Sequence, residues 1–223
     1  MSRIEAAQAL LGHQFSQGLL LSEALTHRSA AGAKGVGSNE RLEFIGDRVL
    51  GLIVAEWLIE RFPAEQEGKL GPRLAALVSK PALARIALER GVAEMITVAP
   101  GEAKRGVSAQ ATVLADALEA MIGALYLDAG LEAARGFVRR VMHSLVDAQA
   151  TPPKDPKTAL QEWALKRALA LPAYSVVAQS GPSHAPRFVV RAHVGEAWAE
   201  AEGNAKRAAG QEAARKLLET LPE

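Results

Sequence analysis

The chain has 223 residues, 49% of them hydrophobic, and a formal net charge of +1. That is enough apolar material for one large core or for a medium and a small one, and too even a charge to imply a nucleic-acid partner from totals alone. Cysteine is absent, which excludes a disulfide framework and a thiolate zinc site and suits a reducing compartment.

At the N-terminus Arg3 and Glu5 head an amphipathic stretch rather than a basic segment followed by an apolar run, so a cleaved secretory signal is not expected. The longest apolar segment, Ala111 to Leu127, contains Asp116 and Glu119, which argues against a membrane span. A soluble, cytoplasmic protein is expected.

Up to about Ala148 the pattern is helical, with apolar residues at three- and four-residue spacing, as in Leu42, Ile45, Val49, Leu52, Ile53 and Leu58. Glycine and proline punctuate it at Ala31 to Gly37, Phe62-Pro63, Gly68 to Pro72 and Pro100-Gly101, giving an all-α domain of roughly six to nine helices. The segment DAQATPPKDPK, Asp147 to Lys157, has adjacent prolines and nothing to build a core, and reads as a linker.

Beyond it the period changes. Asp155 can cap a helix with Pro156 at its first position, continued by Leu160, Trp163, Ala164 and Arg167. Arg187 to Val194 then alternates, with Phe188, Val190, Ala192 and Val194 on one face, while Tyr174 to Ala178 and Glu196 to Ala201 read as neighbouring strands. A helix from about Asn204 to Leu221 closes a small α-β-β-β-α domain of about 70 residues, near the lower size limit for independent folding.

Chemistry concentrates in two acidic sets. Glu40, Glu43 and Asp47 are spaced i, i+3, i+7, and Asp116 and Glu119 are spaced i, i+3, so at helical pitch each set shares a face. Between Ala111 and Leu127 the other residues are uncharged, and a carboxylate in such surroundings must be protonated, paired or bound to a cation. No base is equally well placed, which points to hard divalent ions, Mg²⁺ with Mn²⁺ as a substitute, and hence to phosphodiester hydrolysis. For the first set alone, ordinary surface ion pairs such as Glu40 with Arg41 or Arg48 explain the residues equally well. His27, in LTHRSA, has no carboxylate at useful spacing and reads as a structural residue rather than a general base.

These residues also carry a resemblance. NERLEFIGDRVLGL, Asn39 to Leu52, resembles the signature of bacterial ribonuclease III, and LADALEAMIGALYLDAG, Leu114 to Gly130, resembles its second acidic block. LTHRSA and EGKLGPRLAALVSKPALARIA are similar to that family in order and spacing. The resemblance implies a helical catalytic domain over 1–148, a linker over 149–155 and a double-stranded RNA-binding domain over 156–223. It makes Glu43, Asp47, Asp116 and Glu119 the Mg²⁺ ligands, Asp47 and Glu119 the most directly catalytic, and Glu40 and Glu67 accessory acids of the cleft. It further implies cleavage of duplex RNA to 5′-phosphate and 3′-hydroxyl ends with short 3′ overhangs, roles in maturing ribosomal and messenger RNA, and a homodimer in which Phe44 plugs a socket on the partner. Read without it, an aromatic between acids is more often a core residue.

In the small domain the order of elements, DPKTALQEW and GPSHAPRF resemble a double-stranded RNA-binding domain, which implies that Gln161, Glu162 and His184 meet minor grooves and that Lys206 and Arg207 grip phosphates. The last pair has a physical basis as well, since cations in the first turn of a helix oppose its dipole unless an anion sits there; neutralisation by Glu200 and Glu202 is the alternative. Four positions depart from the family pattern: Arg48 follows the aspartate where a small residue is usual, Leu74 replaces a common arginine with Arg73 beside it, Ala205 replaces a serine and Gly210 a glutamate. Two other classes stay open: an all-α nucleoside-triphosphate pyrophosphohydrolase, whose acid pairs lie closer in sequence, and a non-catalytic RNA-binding protein.

Overall fold

The computed structural model describes residues 2–32, 35–149, 155–182 and 186–222. It divides into two compact units, Met1–Pro152 and Pro153–Glu223, each with its own hydrophobic core. Of the linker expected over 149–155, residues 150–154 lie outside the described residues.

Seven α-helices make up the first unit among the described residues: α1 Arg3–Leu11, α2 Gly18–Ala24, α3 Glu40–Arg61, α4 Glu67–Leu77, α5 Lys80–Glu89, α6 Pro100–Lys104 and α7 Ala111–Asp147. Local chemistry sets their ends. Ser2 and Glu5 form a reciprocal capping box at the start of α1. Phe62, just before Pro63, ends α3. Two punctuation marks turn out to lie inside helices rather than between them. Gly68 to Pro72 forms the first turns of α4, and Pro100 occupies the first position of α6, where a missing N–H costs nothing.

The core is built on α3 against α7. Helix α3 buries Leu42, Gly46, Val49, Leu50, Ile53, Val54 and Leu58. Of the apolar positions read from the sequence, Leu52 is instead exposed and Ile45 only half-buried, because the stripe facing α7 is narrower than the apolar pattern. Helix α7 buries an almost continuous run from Val113 to Leu125 and bends at Gly130, whose φ of 81° is a left-handed value that only glycine adopts at little cost.

Two glycines let the backbones of α3 and α7 touch. A methyl group on Gly46 would lie 1.8 Å from the carbonyl oxygen of Glu119, and one on Gly123 would lie 2.2 Å from that of Leu42. Any larger residue at either position forces the helices apart. The crossing therefore fixes where the carboxylates flanking Gly46 and Gly123 stand.

The second unit comprises α8 Pro156–Lys166, β1 Ala173–Ser180, β2 Arg187–Val194, β3 Ala197–Gly203 and α9 Lys206–Thr220, the order read from the sequence. The strands form one antiparallel sheet in the order β1-β2-β3, with a register irregularity between Val176 and Ala178. Asp155 caps α8 by accepting from the N–H groups of Lys157 and Thr158. Val190, Ala192 and Val194 are buried, with Ala192 and Val194 packing on Leu160, Ala164, Ala213, Ala214 and Leu217 from the two helices. A methyl group at Gly210 would meet the end of the flexible Lys157 side chain, 2.8 Å from Nζ, which sits over the ring of Tyr174.

Candidate active site and RNA-binding surface

Helices α3 and α7 bring Glu43, Asp116 and Glu119 together. One carboxylate oxygen from each lies within 4.8 Å of the others. Glu119 is 6% exposed, on the α7 face that meets Gly46. Burial and the charges of Asp47, Glu43 and Asp116 push its pKa up to about 7, and burial followed by Asp116 raises that of Glu43 as well. Like charges gathered this closely favour whatever offsets them, a proton on Glu119 or a bound cation. The donor set of three hard carboxylates fits a divalent ion such as Mg²⁺ or Mn²⁺.

Asp47 stands apart from that triplet. Its carboxylate lies close enough to be the largest charge acting on Glu119, yet it pairs with the guanidinium of its neighbour Arg48. Arg48 in turn lies 4.5 Å from the centre of the Phe44 ring. Glu40, read from spacing as sharing the inward face, is exposed and accepts a hydrogen bond of 2.8 Å from Ser38 Oγ. It does line the cavity of about 800 Å³ in front of the triplet, with His27, Arg28, Asn39, Glu43, Gln110 and Asp116 among its walls. Glu67 is exposed in the first turn of α4 and does not line that cavity. His27 lines the same cavity, with Nδ1 2.9 Å from Ser29 Oγ.

The expectation that no base is placed like the acids is wrong. Lys80 Nζ donates to Asp116 Oδ1 at 2.7 Å, and that contact raises the lysine's pKa. The signal was present in the sequence: Lys80 is the first residue of α5, a position where a cation opposes the helix dipole, as at Lys206. Gly46 and Gly123 carried a signal too, since isolated glycines inside strongly helical patterns usually have a packing reason.

Phe44 is 64% exposed, so it is not a core residue. With Leu52 and Ile59, 48% and 60% exposed, it forms an apolar stripe along α3. Beside it lies a cavity of about 1020 Å³ whose walls include Leu20, Leu42, Ile45 and Leu127 together with Glu23, Glu40 and Arg41. Arg73, beside the departure at Leu74, is buried rather than directed to the cleft: it forks onto Glu65 at 2.8 Å, stacks on Phe62 and donates to the carbonyl of Gln149.

In the second unit Gln161 is exposed and Glu162 half-buried on α8. His184 lies outside the described residues. Lys206 and Arg207 are exposed at the start of α9, where the N-cap Ala205 offers no side-chain hydrogen bond to the helix N–H groups. Glu200 and Glu202 do not neutralise this pair, because Arg191 takes Glu200 at 2.6 Å and Arg187 takes Glu202 at 2.8 Å. Lys206 and Arg207 therefore present two cations and uncapped N–H groups on one surface, a composition suited to phosphate. Among the described residues no helix is long and apolar enough to cross a membrane.

Comparison with known proteins agrees with this layout. A family model described as Ribonuclease-III-like matches residues 18–145, and one described as a double-stranded RNA binding motif matches residues 156–221. The chain is 46% identical over 209 residues to ribonuclease 3 of Dinoroseobacter shibae, an alignment covering 93% of this chain and 91% of that one. It is 46% identical over 212 residues to ribonuclease 3 of Caulobacter vibrioides, covering 94% and 92%. The crystal structure of the nuclease domain of ribonuclease III from Campylobacter jejuni superposes with a TM-score of 0.60 at 38% identity, covering 65% of this chain and 97% of that one. The chain belongs to the ribonuclease III family, endoribonucleases acting on double-stranded RNA, with a helical nuclease domain followed by a double-stranded RNA-binding domain.

Proposed function

We propose that the protein is a Mg²⁺-dependent endoribonuclease that hydrolyses phosphodiester bonds in duplex RNA to 5′-phosphate and 3′-hydroxyl ends. The observation that carries this reading is the convergence of Glu43, Asp116 and Glu119 oxygens within 4.8 Å, with Glu43 and Asp116 lining a cavity of about 800 Å³. Mg²⁺ bound there supplies Lewis acidity to a phosphoryl group. The chain's own residues do the rest. Glu43, Asp116 and Glu119 would hold the cation, with Asp47 as fourth ligand if it leaves Arg48, and Asp47 and Glu119 are the residues most directly catalytic. The tight α3–α7 crossing prevents the carboxylates from relaxing away from one another, so the site is preorganised rather than assembled by substrate. Glu40, which lines the cavity, acts as an accessory acid at the substrate edge, and Glu67, outside that cavity, is the second accessory acid. Water, not the neighbouring 2′-hydroxyl, is the nucleophile, which sets the chemistry of the ends.

Lys206, Arg207, Gln161, Glu162 and His184 hold the duplex, the first two through phosphates and the others across minor grooves. Two copies of the chain pair through the exposed α3 stripe, with Phe44 of each entering the cavity beside Ile45 and Leu127 of the other. A second structure of the Campylobacter jejuni nuclease domain is described as flexible in a region involved in dimer formation by that protein. Maturation of ribosomal and messenger RNA in the cytoplasm is the corresponding role.

The test is a labelled RNA hairpin incubated with wild-type protein and with Glu119→Gln, in Mg²⁺ and in EDTA. Wild type cuts in Mg²⁺ alone and leaves 5′-phosphate ends; the variant binds the hairpin and loses at least about 10²–10³-fold in rate. Wild-type rates from the variant, or cutting in EDTA, would overturn the reading.

A further inference from the structure

Lys80 stands where its own helix disfavours it. It is the first residue of α5, on the positive end of the helix dipole, with the chain already capped by Ser79, whose Oγ accepts from the N–H of Ala82. Its Nζ reaches across to α7 and donates to Asp116 Oδ1 at 2.7 Å, beside the oxygens of Glu43 and Glu119. Asp116 thus has one oxygen taken by a cation the chain supplies itself. A divalent ion held by the three converging oxygens would meet that ammonium as a like charge and compete with it for Asp116.

We propose that Lys80 is a tethered counter-ion that occupies Asp116 when the acid cluster is empty and competes with the divalent ion for it. This rests on the reading of the cluster as a metal site. Lys80 is then a positioning residue with two opposed effects. It holds Asp116 in place while the site waits, and it weakens ion binding by the repulsion that entry must overcome. Its side chain is about half exposed, so it can swing away into solvent as the ion arrives. The site gives up some affinity and stays folded without its ion.

The measurement is Mn²⁺ affinity by titration calorimetry, with thermal unfolding in EDTA and in Mn²⁺, on wild type, Lys80→Met and Lys80→Arg. Lys80→Met should bind Mn²⁺ about five- to tenfold more tightly at low salt, a gain that shrinks as salt rises. It should unfold at lower temperature than wild type in EDTA and gain more from Mn²⁺. Lys80→Arg, which keeps the charge, should restore wild-type affinity. Unchanged or weaker Mn²⁺ binding by Lys80→Met, including the case in which its cleavage rate falls at constant affinity, overturns the inference while leaving the metal site standing. Absence of Mn²⁺ binding by wild type overturns both.

Discussion

Helix α7 carries two carboxylates, Glu119 and Asp128, that are both largely shielded from water and meet opposite fates. Asp128 has a side chain only 1% exposed and is surrounded by donors: His13 Nε2 at 2.7 Å, the N–H and Oγ of Ser16 at 3.0 and 2.8 Å, and the N–H of Gln17 at 2.9 Å. Those contacts hold its carboxyl far below the usual carboxylate range. Glu119, comparably buried, has acids for neighbours and a pKa of about 7. The residue types are nearly alike and burial raises both, most of all Glu119; donors overcome it at Asp128, whereas the acids around Glu119 add to it. A carboxylate provided with donors staples the fold, here the segment after α1 to α7. One left among like charges is held at a cost that a proton or a bound cation offsets.

The largest expected effect comes from disturbing the crossing that enforces this crowding. Gly46→Ala places a methyl group against the carbonyl of Glu119 with no flexible side chain to yield, so α3 must move off α7. We expect a loss of about 3 kcal/mol or more in denaturant unfolding together with loss of Mn²⁺ binding. Wild-type stability and metal affinity in this variant would mean that the helices do not need close contact to build the site.

Next in size are two substitutions that should move stability in opposite directions. Asp128→Ala leaves the N–H groups of Ser16 and Gln17 and the imidazole of His13 without their acceptor, for a loss of about 2–3 kcal/mol, while Mn²⁺ affinity holds. Glu119→Gln should stabilise the metal-free protein, since it removes a charge from a repulsive cluster, while abolishing cleavage. Destabilisation by both would erase the distinction between staple and site.

The same distinction has a pH signature. The folded pKa of Glu119, about 7, exceeds its ordinary 4.5, so the folded state binds the proton more tightly than the unfolded chain does. Its contribution is fully present below about pH 4.5 and is lost as pH rises through 7. Asp128 has a depressed folded pKa, so its contribution is present above its ordinary value of 3.8 and is lost as pH falls below it. In EDTA, wild type and Glu119→Gln should be equally stable near pH 4.5 and separate toward pH 8, with the variant on top. Saturating Mg²⁺ should close the gap. Parallel pH curves in EDTA would remove Glu119 as the source.

Much of this layout was legible because it is periodic. The alternation of Arg187 to Val194 and the cap at Asp155 follow from local rules, and β2 and the start of α8 fall where those rules put them. Helical spacing put Asp116 with Glu119, since pitch is a property of one helix, but of Glu40, Glu43 and Asp47 only Glu43 joins them in the cluster. What spacing cannot supply is the relation between helices. Whether Glu40 turns to solvent, whether Leu52 is covered, and that Lys80 arrives from α5 all depend on the α3–α7 and α5–α7 packing, which rests on contacts between residues far apart in the chain. The glycines that decide the closest crossing carry no side chain for a pattern to register. The deviation of α4 has a similar origin: Pro72 reads as a break in isolation, but Arg73 beside it is clamped by Glu65, Phe62 and Gln149, and tertiary anchoring overrides the local signal.

The smallest effects belong to the RNA-binding unit, where charges sit in water and are mostly paired. Arg187 with Glu202, Arg191 with Glu200, and Arg215 with Glu212 and Glu219 neutralise one another, so removing one of these arginines changes little. Lys206 and Arg207 have no ion-pair partner among the described residues, and the helix start they occupy has no side-chain cap. Each should contribute through counterion release, a sequence-independent mechanism. Lys206→Ala and Arg207→Ala should each weaken duplex RNA binding without changing which duplex is preferred, and each should reduce the slope of log affinity against log salt by about one. The control is Arg187→Ala, whose charge is already spent on Glu202; its slope should stay at the wild-type value. Equal slopes for all three variants would place the phosphate contact elsewhere on the domain, and equal losses would mean that net charge alone, rather than the uncapped start of α9, holds the backbone of the RNA.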